Sequence, residues 1–153
     1  METGDYSAGV VLLIRNEVFF VLEVVRGRFP FERLKREVIN LKQRYNYDFS
    51  TLLIEESPVS LGLIQSLREQ SINVTTYKPD TDKRTRLIAQ TDLFAGGSVR
   101  LPERAGWLED FVAELLEFPA GHDDQVDALT QGLAWGRRQW AFEVRSGIVV
   151  GLW

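Results

Sequence analysis

Hydrophobic and polar residues follow two different periods along the chain, and these periods predict the secondary structure. Runs rich in β-branched and aromatic residues over Ser7–Ile14 and Glu17–Val25, separated by Arg15-Asn16, predict a β-hairpin. After Pro30 the apolar residues recur at steps of three and four, which predicts a helix with one buried face. That face is formed by Phe31, Leu34, Val38, Leu41 and Tyr45.

Short strands then alternate with helices. We predict strands over Thr51–Ile54, Val74–Tyr77 and Ser98–Leu101, with the tail Ser146–Trp153 as a further strand. We predict helices from Ser57-Pro58 to about Gln70, over Asp80–Phe94, through Trp107, Phe111, Leu115 and Phe118, and from Asp123 or Asp124 onward. A hairpin followed by this alternation indicates an α/β domain with a mixed sheet.

Composition narrows the class of protein. The 153 residues, 44% hydrophobic and 26% charged, are typical of one globular domain, and no linker or repeat divides residues 1–153. The absence of cysteine excludes disulfides, thiolate zinc sites and a cysteine nucleophile. With His122 as the single histidine, a bound metal must be held mainly by oxygen, which favours Mg²⁺, Mn²⁺ or Ca²⁺. No apolar run is long enough for a membrane span and no signal pattern opens the chain, so we expect a cytoplasmic protein.

The net charge of −4 hides a strong asymmetry. Residues 26–44 hold seven basic and two acidic side chains, whereas residues 103–127 hold eight acids and one arginine. Such a pair of segments suits a protein that binds both phosphate and cations, although two solvated helix faces would give the same pattern.

Two groups of carboxylates stand where a catalytic or metal-binding site is expected. Glu55-Glu56 directly follow a buried strand, at the sheet edge where open α/β proteins place their sites, although a solvated strand end would look alike. Asp123, Asp124 and Asp127 cluster at a helix start, where a single acid would already satisfy capping and the helix dipole. Asp124 and Asp127 share a helix face and repel each other unless a cation compensates. Together the two groups predict an oxygen-only site for two divalent ions.

Other chemistries lack their motifs. The chain has no phosphate-binding P-loop, no dinucleotide-binding glycine pattern and no Gly-x-Ser-x-Gly nucleophile turn. A serine–histidine–aspartate triad would depend on His122, which stands beside two acids in the wrong context. His122 is either a residue near the helix cap or an outer member of a metal site.

The run Phe118-Pro-Ala-Gly-His-Asp-Asp-Gln-Val-Asp-Ala-Leu-Thr-Gln resembles the C-terminal signature of large terminase subunits from tailed phages and prophages. Four more segments agree in order, so that the resemblance covers about residues 5–135 and leaves residues 136–153 unassigned. These segments are Asp5-Tyr6-Ser7-Ala8-Gly9, Leu53-Ile54-Glu55, Asp82-Lys83 with Arg86, and Gly97–Pro102 leading to Trp107-Leu108.

The resemblance implies a ribonuclease H-like nuclease domain, a mixed β-sheet flanked by helices, that cuts double-stranded viral DNA during genome packaging with two Mg²⁺ or Mn²⁺ ions. By position, Glu55, Asp124 and Asp127 match the catalytic, metal-binding acids, Asp123 is a further metal ligand, and Glu56 is a neighbour only. Lys83 and Arg86 match a segment that we assign to the DNA backbone, although a surface helix would also explain them. The implied partners are DNA, an ATPase domain, the small terminase and the portal, in the host cytoplasm and without a membrane.

One part of the family pattern is absent from the printed sequence. The family's first catalytic Asp lies on a central strand just before the Asp-Tyr-Ser segment, where this chain has only Met1–Gly4. We therefore expect that first strand and its carboxylate to be missing, which would open a gap between the Ser7 and Thr51 strands. We expect the apolar tail Ser146–Trp153, from this chain or a neighbour, to fill the gap.

Three functions remain open from the sequence. The first is a metal-dependent DNA endonuclease domain. The second is the same fold as a catalytically impaired remnant that only binds DNA or a partner, since a metal site that lacks one carboxylate is weakened. The third, an unrelated acidic α/β domain that binds a partner protein, is disfavoured by the signature run.

Overall fold

The computed structural model describes residues 6–46, 50–140 and 146–152, in which helices cover both faces of one mixed sheet. The strands are β1 (Ser7–Arg15), β2 (Val18–Gly27), β3 (Ser50–Glu55), β4 (Thr75–Tyr77), β5 (Val99–Arg100) and β6 (Ser146–Leu152). The helices are α1 (Phe31–Arg44), α2 (Leu61–Glu69), α3 (Lys83–Ala89), α4 (Thr91–Ala95), α5 (Leu108–Glu117) and α6 (Asp124–Trp140). None of the helices in these residues is long and apolar enough to cross a membrane.

The predicted hairpin is formed by β1 and β2, which pair antiparallel. Its two-residue turn places Asn16 and Glu17 at φ values of 50° and 64°, a left-handed conformation that matches the twist of the paired strands. The register shifts between Val11 and Leu12, so Leu22 is left without a cross-strand partner and is 37% exposed.

The C-terminal strand β6 lies in the middle of the sheet, whose strand order is β4-β3-β6-β1-β2-β5. It pairs antiparallel with β1, from Arg15↔Ser146 to Gly9↔Leu152, and parallel with β3, from Ser50↔Ile148 to Ile54↔Leu152. The expectation that the tail of this chain fills the slot between these strands is therefore confirmed. Its sequence Gly-Ile-Val-Val-Gly-Leu is apolar throughout, which is typical of a strand that other layers cover on both faces.

The core has two layers because successive residues of a strand point to opposite faces of the sheet. In β3, Leu53 packs with α5 and α6, whereas Leu52 and Ile54 pack with α1 and α2. Residues 125–133 of α6 are all buried, so this helix is central to its layer. Polar residues on α6 must therefore find partners inside the protein.

Three elements differ from the sequence predictions for local reasons. The helix predicted over Asp80–Phe94 is divided at Gln90, next to which the Thr91 hydroxyl donates to the Ile88 carbonyl and competes with the helical ladder. α2 begins at Leu61 rather than at Ser57-Pro58, because the Ser57 and Ser60 side chains stabilise a turn before it. On α1, Val38 and Leu41 are buried as predicted, but Phe31 at the helix start is 45% exposed.

Candidate functional site

The candidate site lies at one end of the strands, where β3 and β6 finish and β1 begins. β3 and β6 run parallel and β1 runs opposite to both, so the last residues of β3 and β6 lie beside the first residues of β1. Glu55 is the last residue of β3, and α6 begins nearby with Asp124. The predicted strand-end and helix-start acids are thereby brought to one region, as the contacts of α6 show.

Gln131 of α6 connects two of the predicted acids. Its side-chain Nε2 donates to Glu55 Oε2 and to Asp127 Oδ2, each at 3.1 Å. Gln131 is 0% exposed and Asp127 is 6% exposed, so this bridge is an internal one. It holds the strand-end carboxylate in a fixed relation to the helix.

Asp127 is also neutralised by a buried arginine. Arg86 of α3, 7% exposed, donates from Nη2 to Asp127 Oδ1 and from Nη1 to the Thr81 carbonyl. α3 is aligned for this contact because the Asp82 side chain accepts from Thr85 N at 2.8 Å and caps the helix. The guanidinium that was predicted to contact DNA thus points into the protein, and its DNA role stays a prediction.

Lys83, the other predicted DNA contact, forms an ion pair of 2.9 Å with Asp123 Oδ1. Partial burial lowers the pKa of the Lys83 ammonium, but the hydrogen bond that Lys83 donates to Asp123 and the charges of Asp127, Asp123 and Asp124 outweigh it, so that its pKa lies above the ordinary value. The Lys83 side chain is 44% exposed, which leaves room for it to change partners.

The Asp124 carboxylate differs from Asp123 and Asp127 in its hydrogen bonding. Among the described residues none donates a hydrogen bond to its side chain. Partial burial raises the pKa of the Asp124 carboxyl, the positive charge of Lys83 opposes the rise, and the negative charges of Asp123 and Glu114 reinforce it. An ionised Asp124 is therefore costly in this structure unless a cation approaches.

Sequence reasoning did not single out Glu114, which the structure places beneath the start of α6. Its buried carboxylate accepts from Val126 N at 2.8 Å, from Gln125 Nε2 at 3.1 Å and from Arg26 Nη1 at 3.3 Å. It therefore binds a free backbone N–H in the first turn of α6 and fixes the segment that carries the aspartates. Position 114 in the chain gave no signal beyond membership of the acidic segment.

His122 and Glu56 lie at the margin of the site. The exposed His122 ring meets the Tyr6 ring edge-on, with 4.9 Å between the centroids. Glu56 is exposed, and its backbone N–H donates to the Tyr77 carbonyl. Neither contact indicates that His122 or Glu56 binds a metal.

Carboxylate oxygens are suitable ligands for Mg²⁺ or Mn²⁺, but two of these carboxylates are bound by basic side chains instead of being grouped around an ion site. In the part of the chain that is described, no three acidic or histidine side chains come together in a way that could hold an ion. Asp127 is bound by Arg86 and Asp123 by Lys83. Arranged in this way, the carboxylates do not fit the two-ion set that the resemblance implies.

Comparison with known proteins identifies a family for most of the chain. The family model described as a terminase RNaseH-like domain matches residues 2–134, which include Glu55 and all of the helix-start acids but not β6. No curated protein and no solved structure matches the chain. Since the matched region is most of the sequence, the chain belongs to the terminase RNase H-like domain family, and this membership indicates a nuclease role in phage DNA packaging.

Proposed function

We propose that this domain makes endonucleolytic cuts in double-stranded viral DNA during genome packaging in the host cytoplasm. The cofactor is Mg²⁺ or Mn²⁺, and the partners are the ATPase domain, the small terminase and the portal. The observation that carries the proposal is the meeting of Glu55 with the acidic start of α6 through Gln131.

Charge balance identifies the residues that matter most. Glu55 is bonded to the neutral amide of Gln131, and no described residue donates a hydrogen bond to Asp124, so neither carboxylate is held in a direct ion pair there. These two carboxylates have the most to gain from a divalent cation. Asp123 and Asp127 remain predicted ligands, but each must first leave the side chain that now neutralises it.

A second function is favoured by those same neutralising contacts. If Arg86 and Lys83 keep their carboxylates in the presence of metal, the domain binds DNA without cutting it. This corresponds to the impaired form of the family fold that the sequence left open.

The two functions separate in a cleavage assay with supercoiled plasmid and Mn²⁺, run beside a binding assay on a labelled duplex. For the nuclease we expect nicked and linear products that disappear in Asp124→Asn, with DNA binding retained. Glu32→Gln is the matched control, because Glu32 is an exposed acid on α1 and its amide variant should cut normally.

The outcomes distinguish the two functions from each other and from neither. Absence of cleavage in the wild type, with binding intact, would reject the nuclease and support the binding domain. Equal cleavage by the wild type and Asp124→Asn would reject a nuclease site that includes Asp124. Loss of both cleavage and binding in the wild type would reject both.

A further inference from the structure

Two arginines face one tyrosine ring at the edge of the sheet that holds the candidate site. The guanidinium carbon of Arg26 lies 4.8 Å, and that of Arg28 4.7 Å, from the centroid of the Tyr6 ring. The hairpin register explains the arrangement, because Ala8 pairs with Arg26 and Ser7 with Gly27, which places Tyr6 beside the end of β2. Both distances are within the range of cation–π attraction.

The two guanidinium groups differ in their other partners. Arg26 is half-buried and also forms the ion pair with Glu114. Arg28 is exposed, and no acidic residue pairs with it in the described part of the chain. Arg28 therefore presents a positive charge to solvent while the ring beneath it restricts its motion.

This cluster adjoins the acids. Tyr6 touches His122, and His122 directly precedes Asp123 and Asp124. A DNA strand that reaches those aspartates brings phosphate into a region of negative charge, so a nearby cation is needed to hold it. Lys83 and Arg86 are each paired with an aspartate, whereas Arg28 has no acidic partner among the described residues.

We propose that Arg28, held on the Tyr6 ring, binds a backbone phosphate of duplex DNA beside the candidate site. Arg26, which contacts the same ring, keeps the ring in place. The proposal deepens the proposed function and rests on it for the identity of the ligand. A guanidinium matches phosphate in shape and can donate two hydrogen bonds to it. A side chain that is already ordered loses less entropy on binding, so the ring strengthens the contact. The contact is independent of base sequence.

The test is the salt dependence of binding to a fluorescently labelled 30-base-pair duplex, without divalent metal so that no cleavage occurs. Arg28→Gln is expected to weaken binding about tenfold at low salt. It should also reduce the slope of log K against log salt concentration by about 0.9, the value for one phosphate contact. The control is Arg15→Gln, since Arg15 is an exposed arginine at the opposite end of β1 and should leave affinity and slope unchanged.

Tyr6 supplies a second, independent variant. Tyr6→Phe keeps the aromatic face and should retain the affinity, whereas Tyr6→Leu should weaken binding in the wild type and have no effect in the Arg28→Gln background.

Equal slopes for Arg28→Gln and Arg15→Gln would overturn the proposal while leaving DNA binding, and hence the proposed function, intact. If Arg28→Gln lost as much affinity for polyglutamate as for the duplex, the proposal would be overturned in favour of an acidic protein partner. Absence of salt-dependent binding in the wild type would remove the proposed function together with this contact.

Discussion

At the scale of single residues, the site is organised by one buried ion pair. Arg86 and Asp127 are each more than nine-tenths buried. Gln131 donates hydrogen bonds to both Asp127 and Glu55, so the position of Glu55 depends on that of Asp127. A buried charge that loses its partner is far more costly than the pair is favourable, so these residues depend on one another.

Arg86→Met and Asp127→Asn are each expected to lower the free energy of unfolding by about 3 kcal/mol, because each leaves a buried polar group unpaired. The double variant should lose less than the sum of the two, by about 2 kcal/mol. Urea denaturation of the four proteins measures this coupling. The exposed pair Arg137–Asp92 is the control, for which we expect additive effects. Additivity at Arg86 and Asp127 would show that the pair does not exist in solution.

Asp82 gives a pH-dependent prediction. The backbone N–H of Thr85, and then its hydroxyl, bond the carboxylate and hold the pKa of Asp82 below its ordinary value of 3.8. A lowered pKa in the folded state contributes stability above the ordinary value, and that contribution is lost as the pH falls through the folded pKa. Asp82→Ala should therefore be less stable than the wild type at pH 7, and the gap should close in acid.

Urea midpoints at about pH 7, 5 and 3 measure this change. Asp82→Asn is the matched variant, since an asparagine caps a helix without titrating and should show a smaller difference at pH 7. A gap of constant size between Asp82→Ala and the wild type would mean that the charge of Asp82 plays no part.

At the scale of elements, hydrophobic spacing predicted most strands and helices but not the contacts between them. The hairpin, β3, α5 and the start of α6 follow from the sequence, because each buries apolar residues that occur in a run or at regular spacing. The break at Gln90 and the carboxylate of Glu114 beneath α6 depend on side-chain hydrogen bonds over one turn or between elements. Such bonds leave no period in the sequence, so the site was predicted as a set of acids without the cations that neutralise them.

The approach of α6 to the sheet depends on Gly136. A Cβ built at Gly136 would lie 2.7 Å from Phe19 Cε1 and 2.8 Å from Ile14 Cδ1, and Phe19 is fully buried. Gly136→Ala should gain about 1 kcal/mol from helix propensity and lose more from overpacking, for a net loss of about 1 kcal/mol.

Gly62 in α2 is the matched control for this prediction. A Cβ at Gly62 would meet only the Phe31 ring, at an ordinary 3.8 Å, so Gly62→Ala should raise stability by about 1 kcal/mol. Thermal and urea unfolding measure both variants. Equal gains at the two glycines would refute close packing of α6 on the hairpin.

At the scale of the whole molecule, the sheet is held together by β6. Without it, β1 and β3 have no common partner, since β6 is the strand that pairs with both. A protein truncated after residue 145 should therefore lose its cooperative unfolding transition, because both strands would keep unpaired backbone groups at the centre of the fold.

Truncation after Leu152 removes one residue and spares the register, so it is the control and should unfold like the wild type. Circular dichroism during urea titration and amide exchange of β1 residues compare the two proteins. Native exchange protection of β1 in the longer truncation would show that the sheet closes without β6.

The placement of β6 also has a consequence during synthesis. β1 and β3 leave the ribosome long before residues 146–152, so the nascent chain carries two apolar strands whose facing edges cannot yet be joined. Closing the sheet then requires contacts between residues far apart in sequence, which slows folding and prolongs exposure to aggregation. We expect the newly made protein to rely on chaperone binding until β6 emerges.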